Sequence, residues 1–151
     1  MKTKTEISQS APQIVMSRTY LAPRELVWQV ITQPEHVTHW WGGSEFTNPV
    51  CEMDLRPGGT WRHVMRARDG YEIHMNFVFV KVEQPRLLMW KQDAPEVVFT
   101  VTLEEKGRQT NWKLVAGFSS FQERDTSLAM GYTGPIEASS EQLATHLKEI
   151  Q

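Results

Sequence analysis

The chain has 151 residues, a formal net charge of -2 and 40% hydrophobic residues, which is enough for one domain with a buried core. The near-neutral charge excludes nucleic acid as the expected main partner, and no apolar run approaches the roughly 20 residues that span a membrane. A lone Cys51 cannot form an internal disulfide, which is typical of a cytoplasmic protein.

The chain begins with a polar segment, and the first regular element follows it. Residues 1–12 are rich in Ser, Thr and Lys, and we predict a flexible N-terminal lead there. Residues 13–20 alternate like a strand, with Arg18 on the apolar side, where it would need an acidic or carbonyl partner. Residues 13–151 are expected to form a single domain.

Residues 21–41 predict two short helices that cover one end or face of a sheet. Pro23 and Pro34 each stand where a first helical turn begins, a position that tolerates proline because its N–H has no helical partner. The second helix ends in Trp40-Trp41-Gly42-Gly43, which is either a packed helix end or a mobile lip over a pocket.

The middle of the chain alternates between apolar and polar residues and predicts an antiparallel meander. Short polar turns such as Arg56-Pro57-Gly58-Gly59 and Asp69-Gly70 separate the strands, because Pro and Gly adopt the dihedral angles that turns require. The predicted strands are residues 45–55, 60–67, 71–82, 86–91, 97–104 and 112–118.

The last part of the chain is helical but interrupted. Residues 119–130 predict one helix, and Pro135 begins another because proline cannot donate a hydrogen bond inside a helix. Gly134-Pro135 therefore predicts a kink or a break in the terminal helix. The stripe expected to lie across the sheet consists of Ile136, Ser140, Leu143, Leu147 and Ile150.

Several short motifs carry a family resemblance. They are Arg18-Thr19-Tyr20-Leu21-Ala22-Pro23 with Val27-Trp28, Thr32-Gln33-Pro34-Glu35-His36 with Trp40-Trp41, Asp54-Leu55-Arg56-Pro57-Gly58-Gly59-Thr60-Trp61-Arg62, Gln84-Pro85-Arg86-Leu87, Gly131-Tyr132 and Leu143-Ala144. Together they resemble the START-like (SRPBCC) superfamily, in its activator-of-Hsp90-ATPase-like branch. Tyr132 departs from the tryptophan that is usual there.

The resemblance implies an α+β helix-grip fold. In that fold a curved antiparallel meander of about seven strands follows two short helices placed after the first strand, and a long C-terminal helix crosses the concave face. Relatives bind hydrophobic small molecules, some are polyketide cyclases, and some associate with a chaperone. The fold alone does not choose among these functions.

Side chains on the predicted inner face of the sheet form the candidate site. An apolar wall with a few polar groups is typical of a ligand cavity, while the alternative is an ordinary filled core. The expected lining of a ligand-binding cavity is Trp41, Met53, Trp61, His63, Met65, Tyr71, Met75, Phe77, Phe99, Trp112, Tyr132 and Ser139.

Few residues suggest catalytic or metal chemistry. His63 is the candidate acid or base, and the alternative is a structural histidine held by a neighbour. Spacing alone reveals no catalytic triad or dyad. His36 and His39 share one helix face beside Glu35, but a metal needs further ligands, so we predict no metal and no cofactor.

The favoured function is non-catalytic binding of a hydrophobic or aromatic small molecule between the sheet and the C-terminal helix. One alternative is a polyketide cyclase or dehydratase that uses His63, and another is a chaperone-associated protein-interaction module. We expect a cytoplasmic protein with no nucleic-acid or membrane partner, and the sequence is compatible with a homodimer.

Overall fold

The computed structural model describes residues 2–151. Within that range the strands are β1 (Lys4–Ile7), β2 (Gln13–Tyr20), β3 (Phe46–Met53), β4 (Thr60–Ala67), β5 (Glu72–Glu83), β6 (Leu87–Asp93), β7 (Glu96–Lys106) and β8 (Gln109–Phe118). The helices are α1 (Arg24–Thr32), α2 (Pro34–Val37), α3 (Phe121–Ala129) and α4 (Thr133–Ile150).

The strands form one antiparallel sheet in the order β1-β2-β8-β7-β6-β5-β4-β3. Register shifts between Thr47 and Val50 in β3, and between Phe79 and Lys81 in β5, bend the strands. The predicted α+β helix-grip arrangement is confirmed, with α1 and α2 directly after β2 and α4 across the concave face.

The first strand corrects the expectation of a flexible lead. β1 pairs antiparallel with β2, so the sheet has eight strands in the described residues rather than about seven. The four residues of β1 are mostly polar and exposed, so apolar alternation could not reveal them. Buried Arg124 holds the connection to β2 by donating to the carbonyls of Ser8 and Ala11.

The break before the terminal helix falls at Gly131, not at Gly134-Pro135. Gly131 has a φ of 78°, in the left-handed region that glycine tolerates, and α4 then runs unbroken from Thr133. Pro135 lies in its first turn, where a missing N–H removes no helical hydrogen bond. The buried stripe of α4 ends before Ile150, whose side chain is 40% exposed. The prediction that Ile150 belongs to this stripe is therefore wrong.

Contacts from β2 hold α4 over the sheet. The Tyr20 hydroxyl donates to the Ser140 carbonyl at 3.1 Å. The acidic partner that Arg18 needs is Glu141, with Nη1 and Oε2 2.8 Å apart, and the guanidinium lowers the pKa of that carboxyl. These contacts attach the first half of α4 to the strand beside it.

Candidate ligand-binding cavity

A cavity of about 370 Å³ lies between the concave face of the sheet and α4. Protein interiors are close-packed and hold few voids larger than a water molecule, so ordinary packing does not leave a space of this size. The volume falls in the range of roughly 300–1,000 Å³ that is typical of small-molecule sites.

Aromatic rings form much of the cavity wall. Every tryptophan except Trp28 lines it. Cross-strand pairing explains the clustering, because Trp61 lies opposite Phe77 and Trp90 lies opposite Phe99 on the same face of the sheet. The rings of Trp90 and Phe99 stack with centroids 5.3 Å apart. These cross-strand ring pairs are typical of stable sheets, so the wall is held in a defined shape.

Most of the side chains expected at the cavity do meet there. Alternation along β4, β5, β7 and β8 turns one row of side chains toward α4, which is why sequence patterning could identify them. The expected residues that the structure places in the wall are Trp41, Trp61, Met65, Met75, Phe77, Phe99, Trp112, Tyr132 and Ser139.

Three expected residues lie outside the wall, which corrects the predicted lining. Tyr71 precedes β5 at the hairpin and is 67% exposed, because the end of that hairpin is not covered. Met53 ends the edge strand β3 and packs against the side of the core. His63 is fully buried beneath the wall.

His63 has both ring nitrogens occupied by protein groups. Trp61 Nε1 donates to its Nδ1 at 3.2 Å, and its Nε2 lies 2.7 Å from Asn48 Oδ1, which fixes Nε2 as the protonated nitrogen. Burial lowers the pKa of His63 to about 4. His63 is therefore a neutral imidazole with no free nitrogen, which is the structural histidine expected as the alternative to a catalytic one. In this state it cannot serve as the acid or base of a cyclase.

The segment that ends α2 is packed rather than free. Trp40 Nε1 donates to the Val30 carbonyl at 3.0 Å. Gly42 has a φ of 83°, and a Cβ there would lie 2.5 Å from the sulfur of Met65. The backbone therefore approaches the sheet as closely as glycine allows, and the packed helix end is the alternative that the structure shows.

The cavity wall carries no carboxylate, lysine, arginine or histidine among residues 2–151. The Ser139 hydroxyl is already used, since it accepts from Gly42 N–H and donates to the Pro135 carbonyl, both at 2.8 Å. Burial raises the pKa of Tyr132, so its hydroxyl stays protonated. Met130 lines the cavity and is 83% exposed, which places an opening at the junction of α3 and α4.

The sequence did not reveal a third histidine beside His36 and His39. His146 of α4 lies with its Nε2 3.0 Å from His36 Nδ1, and its ring stacks on His39 with centroids 4.9 Å apart. Burial lowers the pKa of His146, and the neighbouring imidazoles act in the same direction. No group of residues in the described chain has the arrangement of a metal site.

Several wall residues were not expected from the sequence. Trp90 belongs to a run of consecutive apolar residues in β6, where alternation does not distinguish the two faces. The register of β6 against β7 places Trp90 opposite Phe99 on the cavity face, and the sequence alone does not contain this register. The other wall residues outside the expected lining include Ile31, Trp40, Ile73, Leu88, Val101 and Met130. Ile136 and Leu143 also line the cavity, and they come from the stripe of α4 that was expected to lie across the sheet.

A curved antiparallel sheet, closed by a C-terminal helix over an apolar cavity, defines an α+β protein of the helix-grip, SRPBCC type. Residues 21–150 match the family described as activator of Hsp90 ATPase homolog 1-like protein, and the chain belongs to that family. No curated protein matches the sequence. None of the helices between residues 2 and 151 combines the length and apolar character needed to cross a membrane.

Solved structures of similar proteins share this fold. A protein from Rhodobacter sphaeroides has a TM-score of 0.89 at 19% identity, covering 98% of this chain and 99% of that one. A protein from Nitrosomonas europaea has a TM-score of 0.85 at 23% identity, with coverages of 91% and 94%. An AHSA1-like protein from Aeromonas hydrophila has a TM-score of 0.73 at 19% identity, with coverages of 90% and 93%. Likeness at these identities concerns the fold alone.

Proposed function

We propose that this protein binds a hydrophobic or aromatic small molecule in the cavity between the sheet and α4, without catalysing a reaction on it. The observation that carries the proposal is the cavity itself, about 370 Å³ of space walled by tryptophan, phenylalanine and aliphatic side chains. An apolar guest in this space removes its surface and that of the wall from water, which contributes about 25 cal/mol per Å².

The cost of an empty cavity supports the same proposal. Side chains around an apolar void lose packing partners, and core truncations lose stability at about 24 cal/mol per Å³ of cavity. A guest restores these contacts only in the folded protein, so binding must raise the free energy of unfolding. A saturating ligand should therefore raise the unfolding temperature, and the rise should grow with ligand concentration.

The test is a fluorescence titration with N-phenyl-1-naphthylamine, an uncharged dye that brightens in apolar surroundings. Met75 of β5 lines the cavity, and Met75→Trp places a larger ring in that space. Val80 lies on the same strand but is 42% exposed, so Val80→Trp is the matched control.

We expect saturable binding by the wild-type protein, at least about tenfold weaker binding by Met75→Trp, and unchanged binding by Val80→Trp. Thermal unfolding of both variants checks that they are folded. Equal binding by Met75→Trp and wild type would place the dye elsewhere and contradict the proposal. Absence of saturable binding by the wild type to the dye and to a panel of uncharged aromatic compounds would also contradict it.

A further inference from the structure

Three histidines meet where the end of α2 packs against α4. His36 Nδ1 lies 3.0 Å from Nε2 of His146, and the ring of His39 lies parallel to that of His146 with centroids 4.9 Å apart. His146 is only 5% exposed, whereas His36 is half-buried and His39 is exposed. The cluster lies outside the cavity wall, so the binding of a guest does not by itself explain it.

The contact between His36 and His146 depends on protonation. A hydrogen bond between two imidazole nitrogens uses one hydrogen, so it exists only while one of the two facing nitrogens is bare. Once both rings are imidazolium, two N–H groups and two positive charges face each other across 3.0 Å. A cationic His39 stacked on the same ring adds to this repulsion. The contact is therefore lost when acid charges the whole cluster.

Charged groups of both helical segments act on His146. Among the described residues, the titratable groups that face it are His36 of α2, His39 just after α2 and Glu149 of α4. Burial is the main cause that lowers the pKa of His146, the two imidazoles add to it, and Glu149 opposes it. Glu149 is exposed, so water and salt screen its charge and it does not offset the burial.

The lowered pKa gives the direction in which acid acts. Well above the ordinary pKa of 6.5, His146 is neutral whether the contact with α2 is closed or open. As the pH falls below 6.5, the open form takes up a proton that the closed form refuses, so acid favours opening.

The contact joins two segments that both contribute to the cavity wall. α2 is followed directly by Trp40 and Trp41, and α4 carries Leu143 one turn before His146. The contacts with β2 hold only the first half of α4. Separation of His146 from α2 therefore widens the gap between these two parts of the wall.

We propose that His36, His39 and His146 form a proton-sensitive latch, which holds α4 over the cavity at neutral pH and loosens it in mild acid so that the guest is released. This proposal rests on the proposed function and adds its regulation. Opening of the latch is coupled to the uptake of one proton by His146, and it needs no other reactant.

Titration with N-phenyl-1-naphthylamine at about pH 7.5 and about pH 5.5 measures the effect on guest binding, because this dye stays uncharged at both values. His63 stays neutral in the folded protein over this interval, since its pKa is about 4. His146→Phe keeps a ring at the buried position but cannot bind a proton. His74 lies on β5 with an exposed side chain, so His74→Gln is the matched control.

One coupled proton can change the apparent Kd by at most about tenfold over this interval. We expect the Kd to rise by about three- to tenfold in acid for the wild type and for His74→Gln, and by less than about twofold for His146→Phe. Circular dichroism at both pH values checks that each protein is folded. An unchanged Kd of the wild type, or an equal rise in His146→Phe, would overturn the latch and leave the proposed function standing.

Amide hydrogen exchange tests the latch without a guest. The measured quantity is the protection factor of residues 143–150 relative to that of β7, which cancels changes in global stability. We expect this ratio to fall by at least about threefold in acid for the wild type and to stay constant for His146→Phe. His146→Gln, which does not titrate either, takes its place if the phenylalanine variant does not fold.

A constant ratio in the wild type would overturn the latch whether or not the dye binds. A ratio that falls in acid, together with no dye binding at either pH, would refute the proposed function and the release of a guest while the latch itself stands. The two measurements therefore separate failure of the latch from failure of the binding cavity.

Discussion

The buried imidazole of His63 should make the protein lose stability in mild acid. Burial lowers the pKa of this group to about 4 from an ordinary value of 6.5. Well above pH 6.5 neither the folded nor the unfolded state binds a proton at His63, so the contribution of this group to stability is complete there. As the pH falls from 6.5 to about 4, the unfolded chain takes up a proton that folded His63 refuses, and the free energy of unfolding decreases.

The magnitude follows from the two pKa values. Their full difference corresponds to about 3 kcal/mol, and between pH 7.5 and pH 4.5 the loss from His63 should be between about 2 and 3 kcal/mol. The glutamine in His63→Gln cannot titrate in this range. Between pH 7.5 and pH 4.5 the free energy of unfolding of this variant should therefore fall by about 2 to 3 kcal/mol less than that of the wild type. Because Gln does not reproduce the contact with both neighbours, this variant should be less stable than wild type at neutral pH.

Urea unfolding followed by tryptophan fluorescence at several pH values measures these differences. His74 lies on β5 with an exposed side chain, so His74→Gln is the control and should keep the pH dependence of the wild type. If His63→Gln loses stability in acid as steeply as the wild type, His63 is not the buried neutral group described here.

Two other predictions concern parts of the fold that position the cavity. Gly59→Ala should cost at least about 2 kcal/mol more stability than Gly134→Ala in urea unfolding, because a Cβ at Gly59 would lie 2.0 Å from the Asp54 carbonyl oxygen and one at Gly134 meets no atom. Equal costs would contradict this packing. Arg124→Gln should lower the free energy of unfolding by about 1.5–3 kcal/mol and speed amide exchange in residues 8–13, since buried Arg124 binds backbone carbonyls there. Arg62 is an exposed arginine that pairs with the exposed Glu52, so Arg62→Gln should change stability by less than about 1 kcal/mol. Similar losses in the Arg124 and Arg62 variants would refute the anchoring role.

Strands with one buried face could be predicted from the sequence. In β4, Trp61 and Met65 alternate with exposed Arg62 and Arg66, and the predicted bounds of this strand match the observed ones. β1 could not be predicted, because its residues are polar and only its backbone pairs with β2. Such an edge strand has no side-chain periodicity to detect.

Many of the residues that line the cavity could be predicted from the sequence, but the positions of Trp90 and His63 could not. Phe77 and Phe99 followed from alternation, whereas Trp90 required the register of β6 against β7. His63 shares the row of Trp61, yet the ring of Trp41 lies 5.0 Å from it and covers it. Whether a side chain in that row faces the cavity or lies under another ring depends on packing between distant segments, which a linear pattern does not contain.

The ligand cavity is tested most directly by nitrogen-15 NMR of the labelled protein during titration with N-phenyl-1-naphthylamine. The indole N–H signals of the six tryptophans report the site, because Trp28 lies outside the wall and the others line it. We expect saturable shifts of the signals of Trp40, Trp41, Trp61, Trp90 and Trp112 while that of Trp28 stays nearly unchanged. Shifts confined to surface amides or to Trp28, or no saturable shift at all, would contradict a binding cavity beneath α4.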